Sequence, residues 1–362
     1  MKILHVMSSG TIGGIEMLCK DIAGLSCHTN EFAFLFSGGP LKEQMEQQGI
    51  STYTLYQRCK LQRFFLLYRL VKRQQYDVVV VHHEGRGIYC YYLFLTIMCK
   101  DVHFIKYLHS SFEEKYFYIH GRLGNWIDEN ILRLVLARSE RLVAVSKYAG
   151  KSYEPRFPFV AKKVIVIYNG IGFKGCNRNL DFSSPALHLL YVGRLVEVKG
   201  IDLMLYAVKY LLEHELDVKL TIVGDGEQRA KYEKMAVTLG VQDHITFTGF
   251  QMEKEKYYQD VQVFIYPSVW QEAFGISIIE AMSRGLICVA SSVGGIPEII
   301  TDGENGFLFQ PQEQDALGKV LLQLLKGYSV DKLDVISKQA IHTATKYGIE
   351  QMVQQYDKSL LM

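Results

Sequence analysis

Short apolar runs alternate with amphipathic segments along nearly the whole chain. In the first half, runs rich in β-branched residues predict seven strands, at residues 3–7, 31–36, 52–56, 78–81, 102–108, 142–145 and 164–167. Beyond residue 178 the alternation restarts and predicts five more, at residues 187–192, 218–223, 245–248, 263–266 and 287–290. Segments with helical periodicity separate most of these runs. This order is typical of parallel sheets that carry helices on both faces.

The restart of the pattern predicts an α/β protein of two doubly wound domains that face each other across a cleft. A length of 362 residues is too great for one hydrophobic core, and the polar Gly- and Ser-containing stretch at residues 172–186 is the expected linker. We expect an N-terminal domain at residues 1–177, a second domain at residues 178–340, and a C-terminal helix at residues 341–362 that packs back toward the first. Ligands of such sheets bind outside the carboxyl ends of the strands, so the cleft is the expected site.

Glycine-containing turns follow three of the predicted strands. They lie in "SSGTIGGIEM" (residues 8–17), "YVGRLVEVKG" (residues 191–200) and "TIVGDGEQRA" (residues 221–230). Glycines there let backbone N–H groups approach an anion, and cations just after a strand can converge on a phosphate. The candidate residues are Gly13, Gly14, Arg194, Lys199 and Gly224. Taken alone, each is also explained by a tight turn or by a solvated turn with ordinary surface cations. None completes G-x-G-x-x-G, which disfavours an NAD-dependent dehydrogenase.

Two carboxylates flank an aromatic–glycine pair in "YPSVWQEAFGISIIEAMSRG", residues 266–285. The periodicity predicts a helix that begins near Gly275, and its first free amides, at residues 275–277, form an anion site suited to a diphosphate. Glu272 precedes this helix and Glu280 lies inside it, so we expect them to be about 10 Å apart. That separation matches a nucleoside diphosphate from its ribose to an attached sugar. The alternative is structural, with each Glu paired to a nearby Arg or backbone group.

A histidine closes a predicted strand in the first half. His109 ends the strand in "KYLHSS" (residues 106–111), at the carboxyl end and therefore toward the expected cleft. A lone histidine is more often structural, and only this position favours a functional role. The stretch at residues 291–309, with Gly294-Gly295 and Asp302-Gly303, has the chemistry of turns and is interpreted as structural.

Taken together and in order, these motifs resemble the retaining family-4 glycosyltransferases of the GT-B architecture, which has two Rossmann-like domains. The signature E-x7-E corresponds to "EAFGISIIE" (residues 272–280). The other matching stretches are "VIYNGI" (residues 166–171), "VGRLVEVKG" (192–200), "IVGDGE" (222–227), "TGF" (248–250) and "VGGIPEIITDGENGFLF" (293–309). The resemblance covers nearly the full chain and is more specific in the second half.

The resemblance implies roles for individual residues around a donor nucleoside-diphosphate sugar, which we expect to be UDP-linked. Arg194 and Lys199 would hold the diphosphate, and Gly13 and Gly14 would close over it from the first domain. Backbone amides would contact the donor sugar and phosphates at four successive residues, Phe274, Gly275, Ile276 and Ser277.

The remaining roles concern the sugar rings and the base. By resemblance Glu280 would bind the ribose, Glu272 the sugar hydroxyls, and the backbone around Phe250 would line the base pocket. His109 matches a histidine that contacts the donor sugar near the reacting carbon. Ala273 replaces the glycine more usual after the first Glu, which is a mild departure that affects the sugar pocket rather than the fold.

The implied reaction is transfer of a hexose or N-acetylhexosamine from a nucleoside-diphosphate sugar with retention of configuration. Cations and helix amides would stabilise the leaving diphosphate, so we expect no metal and no cofactor besides this substrate. The chain has no D-x-D metal signature, which agrees. No general base is evident, and the departing phosphate oxygen is expected to take the acceptor proton.

Charge is divided unevenly between the halves. Residues 1–177 carry 23 Lys and Arg against 14 Asp and Glu, a net charge of +9, whereas the remainder has 17 against 24, a net charge of −7. Such asymmetry suggests that the first half faces an anionic partner. Nucleic acid is disfavoured because the basic residues lack interleaved stacking motifs beyond one helix.

That helix, at residues 57–75, combines an apolar face with cationic flanks. Its cations are Arg58, Lys60, Arg63, Arg69, Lys72 and Arg73. The composition is typical of a helix that lies on an anionic membrane, and the alternative is a core-packing helix with a solvated basic face. We expect a cytoplasmic protein peripherally bound to the inner face of the plasma membrane, with a lipid-linked or growing glycan acceptor of capsule, exopolysaccharide or lipopolysaccharide assembly.

Other features limit the interpretation. The longest apolar run, at residues 88–99, falls short of the roughly 20 residues that span a bilayer and is expected to be a buried helix. The seven cysteines include no C-x-x-C pair, so we expect reduced thiols rather than disulfides or a zinc site. Two other functions stay open: a UDP-sugar epimerase of the same architecture, and a non-catalytic partner subunit of a transferase. The sugar, the acceptor and the linkage are not specified by these motifs.

Overall fold

The computed structural model describes residues 1–56, 59–113, 120–173 and 186–361. The chain divides into two compact units: unit 1 comprises Met1–Gly170 with Ile349–Met362, and unit 2 comprises Ile171–Gly348. Most of the expected linker, residues 174–185, lies outside the described residues. The domain boundaries at residues 177 and 340 therefore stay predictions.

Unit 1 is built on a seven-stranded parallel sheet in the order β3-β2-β1-β4-β5-β6-β7. Its strands are β1 (Lys2–Ser9), β2 (Thr29–Ser37), β3 (Thr52–Thr54), β4 (Val78–Val81), β5 (His103–Leu108), β6 (Arg141–Ala144) and β7 (Val164–Val166). The central strand β4 has four successive valines, all buried, because helices cover both of its faces.

The helices of unit 1 form one layer on each face of this sheet. They are α1 (Gly14–Leu25), α2 (Gly39–Gln47), α3 (Lys60–Gln74), α4 (Arg86–Met98), α5 (Arg122–Arg138), α6 (Lys147–Ser152) and α12 (Ile349–Leu361). Contacts join α3 to α4 and α4 to α5, and separately join α1 to α2 and to α12. Helix α12 belongs to unit 1 because Ile349, Met352, Val353 and Tyr356 form a buried stripe at helical spacing.

Unit 2 is built on a six-stranded parallel sheet in the order β10-β9-β8-β11-β12-β13. Its strands are β8 (Ala186–Val192), β9 (Asp217–Val223), β10 (Ile245–Gly249), β11 (Val263–Tyr266), β12 (Ile287–Ser291) and β13 (Phe307–Phe309). Its helices are α7 (Ile201–Glu213), α8 (Arg229–Leu239), α9 (Ile276–Met282), α10 (Ala316–Gly327) and α11 (Val330–Thr345).

The prediction of two doubly wound α/β units is confirmed, and each of the twelve predicted strands is present. Strand β13 was missed, because three residues that follow a turn are too short to show alternation. The apolar run at residues 88–99 lies in α4 and its loop, and Ile88, Tyr92 and Leu95 are buried as expected. Within the described residues, no helix combines the length and the apolar character needed to cross a bilayer. The six described cysteines are free thiols, and Cys176 lies outside the described residues.

Helix α3 departs from the prediction at one cation. Arg63 was placed among the membrane-facing residues, which is wrong, because its side chain is buried. Its guanidinium lies over the rings of Phe36, Tyr56 and Tyr91 and donates to the Tyr91 hydroxyl. Lys60, Arg69, Lys72 and Arg73 are exposed, and Arg58 lies outside the described residues.

Candidate functional site

The strand order of unit 2 reverses between β8 and β11, and the loops after these two strands carry most of the predicted residues. Chain order runs outward from β8 through β9 and β10 on one side, and from β11 through β12 and β13 on the other. In open parallel sheets such a reversal leaves a crevice at the carboxyl edge, where ligands bind. Lys199 lies in the loop after β8 and Glu272 in the loop after β11.

These two loops place a cation and a carboxylate in direct contact. Lys199 Nζ lies 2.5 Å from Glu272 Oε1, and both side chains are largely shielded from solvent, with 17% and 13% exposed. Lys199 also donates to the Tyr266 hydroxyl at 3.2 Å, and the Ser268 hydroxyl donates to Glu272 Oε1 at 2.6 Å. Burial, together with the Glu272 charge, raises the pKa of Tyr266 well above its usual value, so this phenol is a neutral hydrogen-bond donor beside the carboxylate.

Two glycines allow the loops at this edge to pack closely against one another, because a side chain at either position would clash with the neighbouring backbone. Gly224 has φ +143°, and a Cβ there would lie 1.8 Å from the carbonyl oxygen of Gly193. Gly294 has φ +58°, and a Cβ there would lie 2.2 Å from the carbonyl oxygen of Glu272. The Gly295 amide donates to that same Glu272 carbonyl at 2.7 Å. The structural interpretation of the Gly294-Gly295 turn is thus confirmed, and the turn supports the backbone of Glu272.

The predicted helix after Glu272 is present and begins at Ile276, with Gly275 preceding it at φ +126°. Phe274 is buried and packs edge-on against Tyr347, while Ile276 and Ser277 are half-buried in the first turn. Amides of a first turn have no partner within their own helix and are available to another acceptor. Glu280 follows one turn later. The Tyr258 hydroxyl donates to it at 3.5 Å, and the Lys254 ammonium forms an ion pair with it at 3.9 Å.

Arg194 and Phe250 complete the set in unit 2. Arg194 is exposed, and its carbonyl accepts from the Tyr191 hydroxyl at 3.0 Å, which anchors the backbone while the guanidinium stays accessible. The Gly224 amide donates to the carbonyl of Gly249, so the loop of Gly224 lies next to Phe250. Phe250 is 64% exposed at the carboxyl end of β10.

Unit 1 has its own reversal of strand order, between β1 and β4. Gly13 and Gly14 follow β1, and the buried carboxylate of Glu16 folds back so that a Cβ on Gly13 would lie 2.5 Å from its Oε2. The Ser8 amide donates to His83 Nδ1 at 3.2 Å, and His83 Nε2 lies 3.1 Å from Glu16 Oε1. A backbone donor on Nδ1 leaves the hydrogen of His83 on Nε2, and that hydrogen is donated to Glu16.

His109 follows β5 and is the end of a row of hydrogen-bonded imidazoles. Its Nε2 lies 3.0 Å from His82 Nδ1, His82 Nε2 lies 2.8 Å from His5 Nδ1, and His5 Nε2 lies 2.8 Å from the Asn30 side-chain oxygen. Burial lowers the pKa of His5 to about 4 and lowers the pKa values of His82 and His109 well below the usual value. These rings are therefore neutral at pH 7.

A buried lysine joins the ends of β4 and β5 beside this row. Lys106 Nζ donates to the carbonyls of His82, His83 and Tyr107 at 3.1, 3.2 and 2.7 Å. Burial lowers its pKa to about 8. All three hydrogens of the ammonium are used, so Lys106 holds the backbone that presents the histidines.

Sequence reasoning missed His5, His82, His83 and Glu16. The signal for two of them was available, since His82 and His83 are polar residues that directly follow the buried strand β4. His5 and Glu16 gave no such signal, because one lies inside an apolar strand and the other in the first turn of an amphipathic helix.

One cluster among the described residues has the composition of a metal site. Ligand atoms of Cys27, His28 and Asp357 lie within 4.8 Å of one another, next to the amino end of β2. Both oxygens of Asp357 already accept hydrogen bonds, from the Ser26 hydroxyl at 2.6 Å and the Cys27 amide at 3.0 Å. The cluster is accounted for by these bonds and lies at the sheet edge opposite to the loops described above.

Comparison with known families agrees with this geometry in both units. Residues 28–172 match the model described as Glycosyltransferase Family 4, and residues 178–343 match the model described as Glycosyl transferases group 1. The chain belongs to the family-4 glycosyltransferases of GT-B architecture. The resemblance inferred from the motifs is thus confirmed.

Curated relatives of this family-4 glycosyltransferase come from several lineages. An uncharacterised glycosyltransferase of Methanocaldococcus jannaschii is 28% identical over 84% of this chain and 83% of its own length. The spore coat protein SA of Bacillus subtilis is 32% identical, and the match spans 48% of this chain and 52% of the relative. The lipopolysaccharide 1,2-N-acetylglucosaminetransferase of Salmonella typhimurium is 28% identical over 61% of each chain. The chain thus spans only about half to two thirds of the length of these last two relatives.

Solved structures confirm the fold of this glycosyltransferase. A glycosyltransferase from Rickettsia africae superimposes with a TM-score of 0.81 at 20% identity, covering 99% of this chain and 98% of the other. The Anabaena protein HepE in complex with UDP-glucose superimposes with a TM-score of 0.79 at 23% identity, covering 99% of both chains.

Proposed function

We propose that this glycosyltransferase moves a sugar from a nucleoside-diphosphate sugar, UDP-linked, to a lipid-linked or growing glycan acceptor, with retention of anomeric configuration. The single observation that carries the proposal is the contact of Lys199 with Glu272 at the strand-order reversal of unit 2. A phosphate-binding cation and a hydroxyl-binding carboxylate stand side by side there, as a sugar phosphate requires.

In this proposal the chain supplies positive charge where the leaving diphosphate develops negative charge. Arg194 and Lys199 are the side-chain donors, and the first-turn amides of α9 add hydrogen bonds. Tyr266 and Ser268 hold the Glu272 carboxylate in place, so that it is oriented before a sugar binds. Glu280, next to Lys254 and Tyr258, accepts from the ribose hydroxyls, and the exposed Phe250 lies by the base.

Retention follows from the face of the anomeric carbon on which the acceptor attacks. The acceptor oxygen forms a bond to the anomeric carbon on the face from which the diphosphate leaves, and the bond from that carbon to the phosphate oxygen breaks. The departing phosphate oxygen takes the proton of the acceptor hydroxyl, so no side chain acts as general base. Glu272 and His109 contact hydroxyls of the transferred sugar and do not gain or lose a proton in the step.

The donor is proposed from the chemistry of relatives. HepE was solved with UDP-glucose, and the Salmonella relative is named for transfer of N-acetylglucosamine. Glycan assembly also fits the amylovoran biosynthesis glycosyltransferase of Erwinia amylovora, which is 30% identical over 52% of this chain. A thermal-shift panel of UDP-, GDP- and ADP-sugars is expected to show stabilisation by UDP-glucose or UDP-N-acetylglucosamine.

The experiment that tests the proposal replaces Glu272 by Gln, which keeps the size of the side chain and removes its charge. With the donor chosen by the panel and a lipid-linked glycan extract as acceptor, we expect sugar incorporation to fall at least about tenfold, since hydrogen bonds to a charged group are lost. Glu233→Gln is the matched control, because Glu233 pairs with Arg229 on the surface of the same unit. Equal incorporation by Glu272→Gln and wild type would contradict the proposed role.

The same assay separates the two other functions. An epimerase would convert the UDP-sugar to an isomer with no acceptor present, and chromatography of the nucleotide sugars would show it. A non-catalytic subunit would give no thermal shift with any donor. Transfer with release of UDP only when acceptor is added supports the glycosyltransferase and opposes both.

We also propose that unit 1 binds an anionic membrane surface through α3 and α5. Leu61 and Phe65 in the first turns of α3, and Leu123 and Trp126 in the first turn of α5, are among the most exposed apolar side chains described. Both helices lie on the same face of the sheet and begin at its carboxyl edge. Exposed apolar and aromatic side chains next to Lys60 and Arg69 suit the interface of an anionic bilayer.

A further inference from the structure

We propose that His82, His5 and Asn30 are positioning residues that hold His109 in one tautomer, with its hydrogen on Nε2 and with Nδ1 as a hydrogen-bond acceptor. The inference rests on the proposed function, because the contact of His109 with the transferred sugar belongs to that proposal. The three positioning residues do not contact the sugar themselves. Asn30 orients His5, His5 orients His82, and His82 orients His109.

The direction of the row is set at Asn30. The side-chain nitrogen of Asn30 donates to the carbonyl of His28 at 2.9 Å, so the amide cannot be turned without placing two oxygens against each other. Its oxygen therefore faces His5 Nε2 at 2.8 Å. An amide oxygen can only accept, so His5 carries its hydrogen on Nε2.

This assignment passes from ring to ring. A neutral imidazole has one donor and one acceptor nitrogen, so His5 Nδ1 accepts and His82 Nε2 donates to it. His82 Nδ1 then accepts, and His109 Nε2 donates to it. The remaining nitrogen of His109, Nδ1, has a lone pair and no partner among the described residues. This assignment of hydrogens requires all three imidazoles to be neutral. Burial keeps them neutral by lowering their pKa values, and the nearby charge of Lys106 adds to this effect at His82 and His109.

Stacked rings prevent the imidazoles from turning out of the row. His109 stacks on Tyr107 with centroids 4.5 Å apart and planes at 11°, and His82 stacks on the same Tyr107 at 5.3 Å. His5 stacks on Phe32 at 4.7 Å. Rotation of a ring out of its plane would break its stacking, and a half-turn within the plane would put carbon where nitrogen forms the hydrogen bond, so the row has one arrangement.

The consequence concerns what His109 can recognise. With Nδ1 as acceptor, His109 binds a group that donates a hydrogen, such as a sugar hydroxyl, and does not itself donate a hydrogen from Nδ1. Asn30 cannot take a proton, so the row fixes a hydrogen-bond direction and does not carry protons away. A sugar with a hydroxyl at the contacted position is thereby favoured over its deoxy analogue.

Imidazole ¹⁵N NMR of the full chain tests this directly, because the two neutral tautomers have distinct patterns of nitrogen shifts and couplings. The His109 signals are assigned by their absence from His109→Asn. We expect wild-type His109 to be neutral and to carry its hydrogen on Nε2 at pH 7. A hydrogen on Nδ1, or interchange of the two tautomers, would overturn the inference whatever the activity.

Two substitutions of His82 separate positioning from packing. His82→Phe fills the space without an acceptor, and we expect His109 to lose its single tautomer and transfer to slow about tenfold, with the donor KM unchanged. His82→Asn puts an acceptor oxygen near the position of Nδ1, and we expect it to keep the tautomer and recover most of the rate. If His82→Asn loses the single tautomer of His109 and the transfer rate as completely as His82→Phe does, the result would contradict the acceptor role of His82.

Failure of the inference and failure of the proposed function give different results. If His109 no longer has a single tautomer in His82→Phe while transfer is unchanged, the result would support the role of His82 in fixing that tautomer. It would contradict contact of His109 with the sugar. A wild-type tautomer that persists in His82→Phe would contradict the inference alone and leave the proposed transfer intact.

Discussion

Three neutral histidines, of which His5 and His82 are buried and His109 is half-buried, make unit 1 sensitive to acid at the level of single residues. The pKa of His5 is about 4 in the folded chain and near 6.5 when unfolded, so the unfolded chain binds more protons between these values. Stability from this group is present above pH 6.5 and is lost as the pH falls toward 4. His82 and His109 shift in the same direction and add to the loss.

We predict that unit 1 loses about 2 kcal/mol of unfolding free energy from His5 alone between pH 7.5 and 5. His5→Phe should unfold with a smaller pH dependence, whatever its absolute stability. Urea unfolding at the two pH values measures this, with His214→Gln, an exposed histidine of unit 2, as control. An unaltered pH dependence in His5→Phe would contradict the assignment.

The motifs indicated the candidate residues of unit 2 but not the contacts between them. Glu272, Glu280, Arg194 and Lys199 could be predicted because each follows a strand or flanks a glycine in a recognisable order. The pairing of Lys199 with Glu272, and its support by Tyr266 and Ser268, could not, since these contacts depend on how two loops fold together.

At the scale of elements, loops that contain crowded glycines position the site. Gly294 and Gly240 both have left-handed backbones, with φ +58° and φ +70°. A Cβ on Gly294 would meet the backbone of Glu272 at 2.2 Å, whereas a Cβ on Gly240 would meet nothing within 4 Å. The pair therefore separates backbone strain from displacement of the Glu272 loop.

We predict that both glycine-to-alanine substitutions destabilise unit 2 by about 1 kcal/mol from the backbone alone, and that Gly294→Ala costs more because the loop must move. Transfer activity should fall in Gly294→Ala and stay near wild type in Gly240→Ala. Thermal unfolding and the transfer assay measure the two effects. Equal activity of the two variants would show that the Glu272 loop tolerates the shift.

Helix α3 shows that the spacing of apolar residues predicts a helix better than charge predicts which of its residues are exposed. The spacing of apolar residues identified the helix, and its ends were close to those observed. Arg63 was included with the membrane-facing cations because it is charged, yet the aromatic rings around it bind its guanidinium in a buried site. Residues from β2, the loop after β3 and α4 create that site, and none is a sequence neighbour of Arg63.

At the scale of the whole molecule, the net charges of +9 and −7 in the two halves favour contact of the first half, rather than the second, with an anionic surface. Each Lys or Arg near an anionic bilayer contributes about 1 kcal/mol, so a few residues determine binding. The exposed cations of α3 are distributed along a helix that also exposes Leu61 and Phe65.

We predict that reversing Lys60, Arg69 and Arg73 to Glu abolishes co-sedimentation with vesicles that contain phosphatidylglycerol. The control reverses three exposed cations of unit 2, Lys231, Lys234 and Lys326, and changes the net charge equally. It should bind vesicles nearly as wild type does. Identical binding by both triple variants and wild type would contradict the membrane surface proposed for unit 1.

The succession of strands along the chain and the existence of two units followed from the sequence, because buried parallel strands are continuous apolar runs separated by helices. The identity of the acceptor did not, since hydroxyl configuration is recognised by a few contacts of precise geometry. The donor site proposed in unit 2 bears most directly on function.

A crystal structure of the chain with UDP tests that site most directly. We predict that the diphosphate lies within hydrogen-bonding distance of Arg194, Lys199 and the amides at residues 275–277, with the ribose at Glu280. UDP bound elsewhere on the chain, with these groups free of it, would contradict the donor site proposed for unit 2.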